Sequence, residues 1–213
     1  MANFDAQIQD LVGTAMTDQD AMDTFLSDGL AQLYNILPAS KLAECSTSTT
    51  LSNSPTTLDL DTVTIGPIVT VVRKDSKGIS QICRQMPAAM SSRITDPNDL
   101  MHVKDTDPVY FINNAVLNVY PDPTAAQTAD VYYLPLTAID ASAGSAIDNL
   151  SNDMTYVVVL YASIRAATHL MAEEEDTELY APIIKSLKDD YNIALATIGV
   201  KTSTVKEKDD DES

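Results

Sequence analysis

Residues 151–172 limit the fold more than any other part of this chain. At 3.6 residues per turn, Met154, Val157, Val158, Tyr161, Ile164, Thr168 and Met171 line one side of a helix, while Val159, Leu160, Ala162, Ala166 and Ala167 line the opposite side. A helix that is apolar nearly all the way round has to be buried on most of its sides. It does not cross a membrane: the densest apolar run, 157–162, falls far short of the ~18–20 residues a spanning helix needs. The spacing therefore predicts a central helix, capped by Ser151 or Asn152 and running to about Ala172, with other helices around it.

Three further segments have the period to surround it. Phe4, Ile8, Leu11 and Val12 fall on one face of a short helix that Gly13-Thr14 breaks. Thr17-Asp18-Gln19-Asp20 reads as an N-cap with acids in the first turn. Met22, Phe25, Leu26, Leu30, Leu33, Tyr34 and Leu37 then form a broad stripe, and Pro38 stops the helix. At the other end Tyr180, Ile184, Leu187, Tyr191, Ala194, Leu195 and Ile198 are in helical register. Pro182 sits near the start of that helix, where a missing N–H costs least, and Gly199 ends it.

Between these helices the pattern changes to that of strands. Residues 46–50 and 52–55 are polar and turn-rich, whereas residues 58–65 alternate with period two and residues 68–74 form a dense β-branched run. Asp75-Ser76-Lys77-Gly78 turns the chain so that residues 79–83 pair back. Residues 84–107 read as loop with one short helix inside. Residues 110–112 and 116–120 flank Asn113-Asn114 as a hairpin, and residues 129–134 add a strand before Pro135. The expected class is α+β: a bundle of two N-terminal and two C-terminal helices with an inserted antiparallel β-sandwich or barrel-like domain. The expected divisions are 1–44, 45–140, 141–199 and a charged tail, 200–213.

Charge narrows the function. Thirteen basic residues against 31 acidic ones give −18, spread along the chain with no basic segment, which disfavours a surface that grips nucleic acid or an anionic membrane. The N-terminus has neither a basic nor an apolar leader region, so the expectation is synthesis and folding in a cytoplasm. Cys45 and Cys83 make no CxxC or ligand-spaced pair and read as two free thiols, with a disulfide left open.

Parts for catalysis are few. His169 and Glu173 are an i, i+4 pair that could hold a metal with carboxylate help, but a helix-end histidine beside an acidic corner explains them as well. His102 lies in the proline-rich loop. Glu173-Glu174-Glu175-Asp176 point in different directions on a helix and read as a solvated corner; Asp209-Asp210-Asp211-Glu212 read as a solvated terminal run or a docking segment. There is no GxSxG elbow and no phosphate-cradling glycine loop, and Asn149-Leu150-Ser151 fits the glycosylation pattern by chance. No cofactor and no enzymatic activity are expected.

The order of elements resembles a known family. The helix pair with Phe25-Leu26-Ser27-Asp28-Gly29-Leu30 comes first, followed by a β insertion closing on Leu117-Asn118-Val119-Tyr120-Pro121-Asp122-Pro123 and Val131-Tyr132-Tyr133-Leu134-Pro135. The alanine-rich helix, acidic corner and tyrosine-containing last helix complete it. This is similar to the head-to-tail adaptor (connector) proteins of tailed bacteriophages, especially the tubular adaptors of short-tailed phages. The resemblance implies a structural protein of the virion neck, in rings commonly of twelve copies beneath the portal, joined to the tail nozzle or tube. DNA would pass through without specific binding, and no membrane is involved. The C-terminal segment would reach the portal, which singles out Gly199, Val200, Lys201, Val205, Lys206, Glu207, Lys208 and Asp209. Asp18, Asp20, Asp23 and Asp28 are candidate channel-lining acids, and Val159, Leu160 and Arg165 candidate contacts between subunits. The alternatives are another virion neck, stopper or capsid-decorating protein, a cytoplasmic ligand-binding module, and a metal hydrolase using His169 and Glu173.

Overall fold

A computed structural model describes residues 2–61 and 65–200. In chain order the helices are α1 (Phe4–Val12), α2 (Gln19–Ile36), α3 (Ala39–Cys45), α4 (Ser91–Thr95), α5 (Asn152–Glu174) and α6 (Thr177–Thr197). The strands are β1 (Thr47–Leu51), β2 (Thr57–Asp59), β3 (Ile65–Lys74), β4 (Ser80–Ile82), β5 (Arg84–Gln85), β6 (Val109–Asn113), β7 (Val116–Tyr120) and β8 (Ala129–Pro135). The chain divides into two compact units, Met1–Ala39 with the chain from Ala138 onward, and Ser40–Thr137.

In the helical unit α5 is the central element and packs against α1, α2 and α6. Its buried residues, among them Met154, Val157, Val158, Val159, Leu160, Ala162, Ala166, Ala167 and Leu170, go round the helix, as the pattern requires. Ser151 caps it by accepting from the Met154 N–H. Asn3 and Asp18 do the same for α1 and α2, accepting from Ala6 and Ala21 at 3.0 Å. The crossing of α2 and α5 is close: a Cβ added at Gly29 would lie 2.9 Å from Tyr161 Cδ1 and 3.3 Å from the Val158 carbonyl oxygen. α6 ends in a Schellman motif, with the Val200 N–H donating to Leu195 and the Gly199 N–H to Ala196, and Gly199 left-handed at φ 85. Pro182 departs from expectation. It is the sixth residue of α6, beyond the first turn, so it removes a ladder hydrogen bond instead of occupying a position where none was due.

The inserted unit holds two four-stranded sheets among its described residues, ordered β1-β8-β3-β4 and β2-β7-β6-β5. All pairings are antiparallel except β5 with β6. One core draws Leu51, Val71, Ala129 and Val131 from the first sheet and Tyr110, Leu117 and Val119 from the second, so the sheets pack as layers of a sandwich. The far side of the second sheet is covered in turn: Val109 and Phe111 pack with Ile94 and Val103, and Phe111 stacks on Tyr120 at 5.7 Å.

Several local expectations change. Residues 46–50 are not turn but contain most of β1, an edge strand whose polar side chains alternate outward while Leu51 goes in. Residues 58–65 do not form one strand. β2 and β3 belong to different sheets, with a turn at Asp61. β3 starts at Ile65 and carries Gly66-Pro67 through a break in register with β8, where a residue lacking an N–H does no harm. The hairpin turn is one residue later than expected: Asn114 and Ala115 take φ 48 and 58, the two left-handed positions of a primed turn. α3 follows directly after Pro38 and was not expected, while the short helix within 84–107 is α4, preceded by a 3-10 turn at Ala88–Met90.

Candidate functional site

The chemistry of the helical unit is dominated by its charge. Over residues 1–39 and 138–200 it carries sixteen acidic residues against three basic ones, Arg165, Lys185 and Lys188. Many of the acids have structural work. Asp18 caps α2, and Asp23 accepts from the Ala141 N–H at 2.8 Å, helping to tie the segment after the insertion to α2. The same segment takes α1, through Phe4 N–H to Gly144 at 2.8 Å and Asp5 N–H to Ala141 at 3.0 Å. Of the four proposed channel acids, Asp20 and Asp28 are exposed and make no hydrogen bond seen here through their carboxylates.

The acidic corner, residues 173–176, is exposed throughout, and its acids also have local partners. Glu175 closes α5 in the left-handed conformation, φ 54. Asp176 caps α6 by accepting from the Leu179 N–H at 3.0 Å, and Glu174 accepts from the Tyr180 hydroxyl at 2.9 Å. Glu173 lies 4.0 Å from His169 Nε2. The other face of His169 meets the Phe25 ring edge-on at 6.2 Å, and Arg165 lies over the same ring at 5.6 Å. No group of three or more metal-ligating side chains occurs among the described residues. His102 is exposed in its loop, its backbone N–H donating to the Asp99 carbonyl at 3.0 Å.

Val159 and Leu160 are buried within the helical unit itself, which accounts for their apolar character without a neighbouring subunit; Arg165 is exposed. Gly199 and Val200 form the end of α6, and Lys201, Val205, Lys206, Glu207, Lys208 and Asp209 lie outside the described residues. Cys45 and Cys83 are buried and are not joined in a disulfide. Burial pushes the Cys83 thiol up to about 12, against an opposing pull from the Arg73 charge.

Two features gave no sign in the sequence. Arg73, only 1% exposed, donates from Nη1 to Asp105 Oδ1 and the Lys74 carbonyl, both at 3.1 Å. Its Nη2 reaches Gln127 Oε1 at 3.0 Å and the Asp122 carbonyl at 3.4 Å. Asp75 is buried at the β3–β4 turn, and N–H groups of Ile79 and Lys77 hold its carboxyl below the usual range. Residues 32 to 54 positions apart build the Arg73 network, so no local spacing could reveal it. The second feature is on the surface: α6 bears an exposed Leu179 in its first turn and an exposed Ile193 near its end, the latter beside Tyr156 of α5.

The chain matches the family model described as SU10 adaptor protein over residues 3–198, a span that takes in both units. No curated protein matches the chain. No helix among the described residues is long and apolar enough to cross a membrane.

Proposed function

This chain belongs to the SU10 adaptor protein family, whose members are structural phage adaptors of the virion, and on that premise we propose that it forms a ring beneath the portal and joins it to the tail nozzle or tube. The observation that carries this reading is the charge of the helical unit, sixteen acids to three bases, on a chain with no basic segment. A conduit must let DNA slide. Negative charge on its wall repels phosphate at short range, and salt screens the repulsion beyond about 8–10 Å, so the duplex is kept off the wall without being held. Asp20 and Asp28 are the α2 acids free to face such a channel, while Asp18 and Asp23 are spent on a cap and a backbone tie. The chain beyond Gly199, with Val200, Lys201, Val205, Lys206, Glu207, Lys208 and Asp209, is assigned to the portal.

Mass photometry of the full chain, alone and mixed with the portal of the virion that carries it, tests the proposal. A portal-bound species containing many copies is the expected result. A chain that ignores the portal and stays monomeric at every ratio refutes it.

A further inference from the structure

Two grooves flank α6. One, of about 290 Å³, is lined by Asp153 and Tyr156 of α5 and by Asp190, Ile193, Ala194 and Thr197 of α6. The other, of about 570 Å³, is lined by Met171 of α5 with Ala181, Ile184, Lys185, Lys188 and Asp189 of α6 among others. At about 100° per residue the two sets lie on opposite flanks of α6, on either side of the stripe made by Tyr180, Ile184, Leu187 and Leu195 that faces the core. The first groove is acidic and has protruding apolar side chains, Ile193 being 66% and Tyr156 45% exposed. The second holds two of the three basic residues that the described helical unit possesses.

Resting on the ring reading above, we propose that the occupant of each groove is a second copy of this chain: the lysine groove of one copy receives the Tyr156–Ile193 surface of the next, with Lys185 and Lys188 meeting Asp153 and Asp190. Two molecules of charge −18 repel, so a contact between copies is favoured where opposite charges meet locally. The described residues of the helical unit hold three cations, and two of them stand together at an apolar groove. Its acidic, apolar counterpart is on the other flank of the same helix. One surface meeting a different surface of the same molecule is a heterologous contact, which repeats head to tail and closes into a ring where its rotation allows. Val159 and Leu160, buried within the unit, are not at the surface that makes it.

The test uses two full-length variants, Lys185→Glu/Lys188→Glu and Asp153→Lys/Asp190→Lys, each checked for native circular dichroism. Assembly with the portal is measured by mass photometry beside the wild type. Each variant alone presents two grooves of like charge, and its ring population should fall at least tenfold. Mixed one to one, the variants can alternate around a ring, and assembly should return to within about twofold of wild type. Wild-type-like assembly by either variant alone overturns the proposal. So does failure of the mixture while both variants stay folded, which would mean that the portal or another protein covers the grooves. Should a charge reversal misfold, Lys185→Gln/Lys188→Gln replaces it, and undiminished assembly by that variant refutes the contact. A wild type that never assembles would instead sink the ring reading itself.

Discussion

The Arg73 network makes an asymmetric prediction about the inserted unit. Arg73 is 1% exposed, whereas its counter-ion Asp105 keeps 35% of its side chain in water. Deleting the buried partner and deleting the half-solvated one should therefore not cost the same. Without Arg73, Asp105 takes up water at once, and an apolar side chain of similar length fills the space. Replacing both members of a buried pair is often neutral, but Arg73→Met alone leaves Gln127 Oε1 and the Lys74 and Asp122 carbonyls without their donor; with the freed carboxylate hydrated, it should cost about 2 kcal/mol. Without Asp105 the guanidinium stays buried with Gln127 and two carbonyls, which share its protons but not its charge. Stranding a buried charge costs about 3–5 kcal/mol when the pair is fully enclosed; partial hydration of this pair puts Asp105→Ala near the lower end, about 3 kcal/mol. Hydrogen exchange at β3 and β8 amides reads the unit directly. For amides that exchange through its unfolding, about 3 kcal/mol is roughly a 150-fold acceleration, against about thirtyfold for Arg73→Met. If Arg73→Met proves the more damaging variant, the burial argument is wrong.

Four further outcomes can be checked. The unfolded chain releases the Cys83 proton near its ordinary value of 9.0, while the folded chain holds it to about 12. The inserted unit should thus lose stability as pH rises from about 9 toward 12, and urea midpoints of Cys83→Ala should decline less over that range. Gly29→Leu forces a side chain against Tyr161 and the Val158 backbone; thermal melts should show a loss of about 1–3 kcal/mol. Leu160→Asp buries a charge inside the helical unit, so circular dichroism should report unfolding, and a folded, soluble monomer would contradict the placement. A chain ending at Gly199 should keep its helix content but lose portal binding in a pull-down; normal binding would remove the C-terminal segment from that contact.

How legible this molecule is depends on the range of the forces involved. α5 could be read because its neighbours press on it from several sides and leave a mark at almost every residue. The ends of α2 and α6 could be read because caps are local: Asp18 and Gly199 act within four residues. β1 could not, since an edge strand of Ser and Thr buries only Leu51 and looks like a loop. The alternation of residues 58–65 gives the pleat but not the sheet, and the chain changes sheet between β2 and β3. The acidic corner showed its charge in the sequence but not its use, because Asp176 is a cap only once the helix after it is placed. The grooves beside α6 needed α5 in position, as each takes residues from both helices.

The placing of those grooves has a geometrical consequence. Taken at 100° per residue, their α6 residues are centred about 170° apart, close to a straight line through the helix. A bead with its two hooks nearly opposite each other makes a chain that bends little at each link. Should copies join through both grooves with their α6 helices side by side, the ring would close only after many copies, and what it encloses would be wide. The breadth of the opening would then be decided neither by the β-sandwich nor by the length of the helices, but by a few degrees of turn between two flanks of α6.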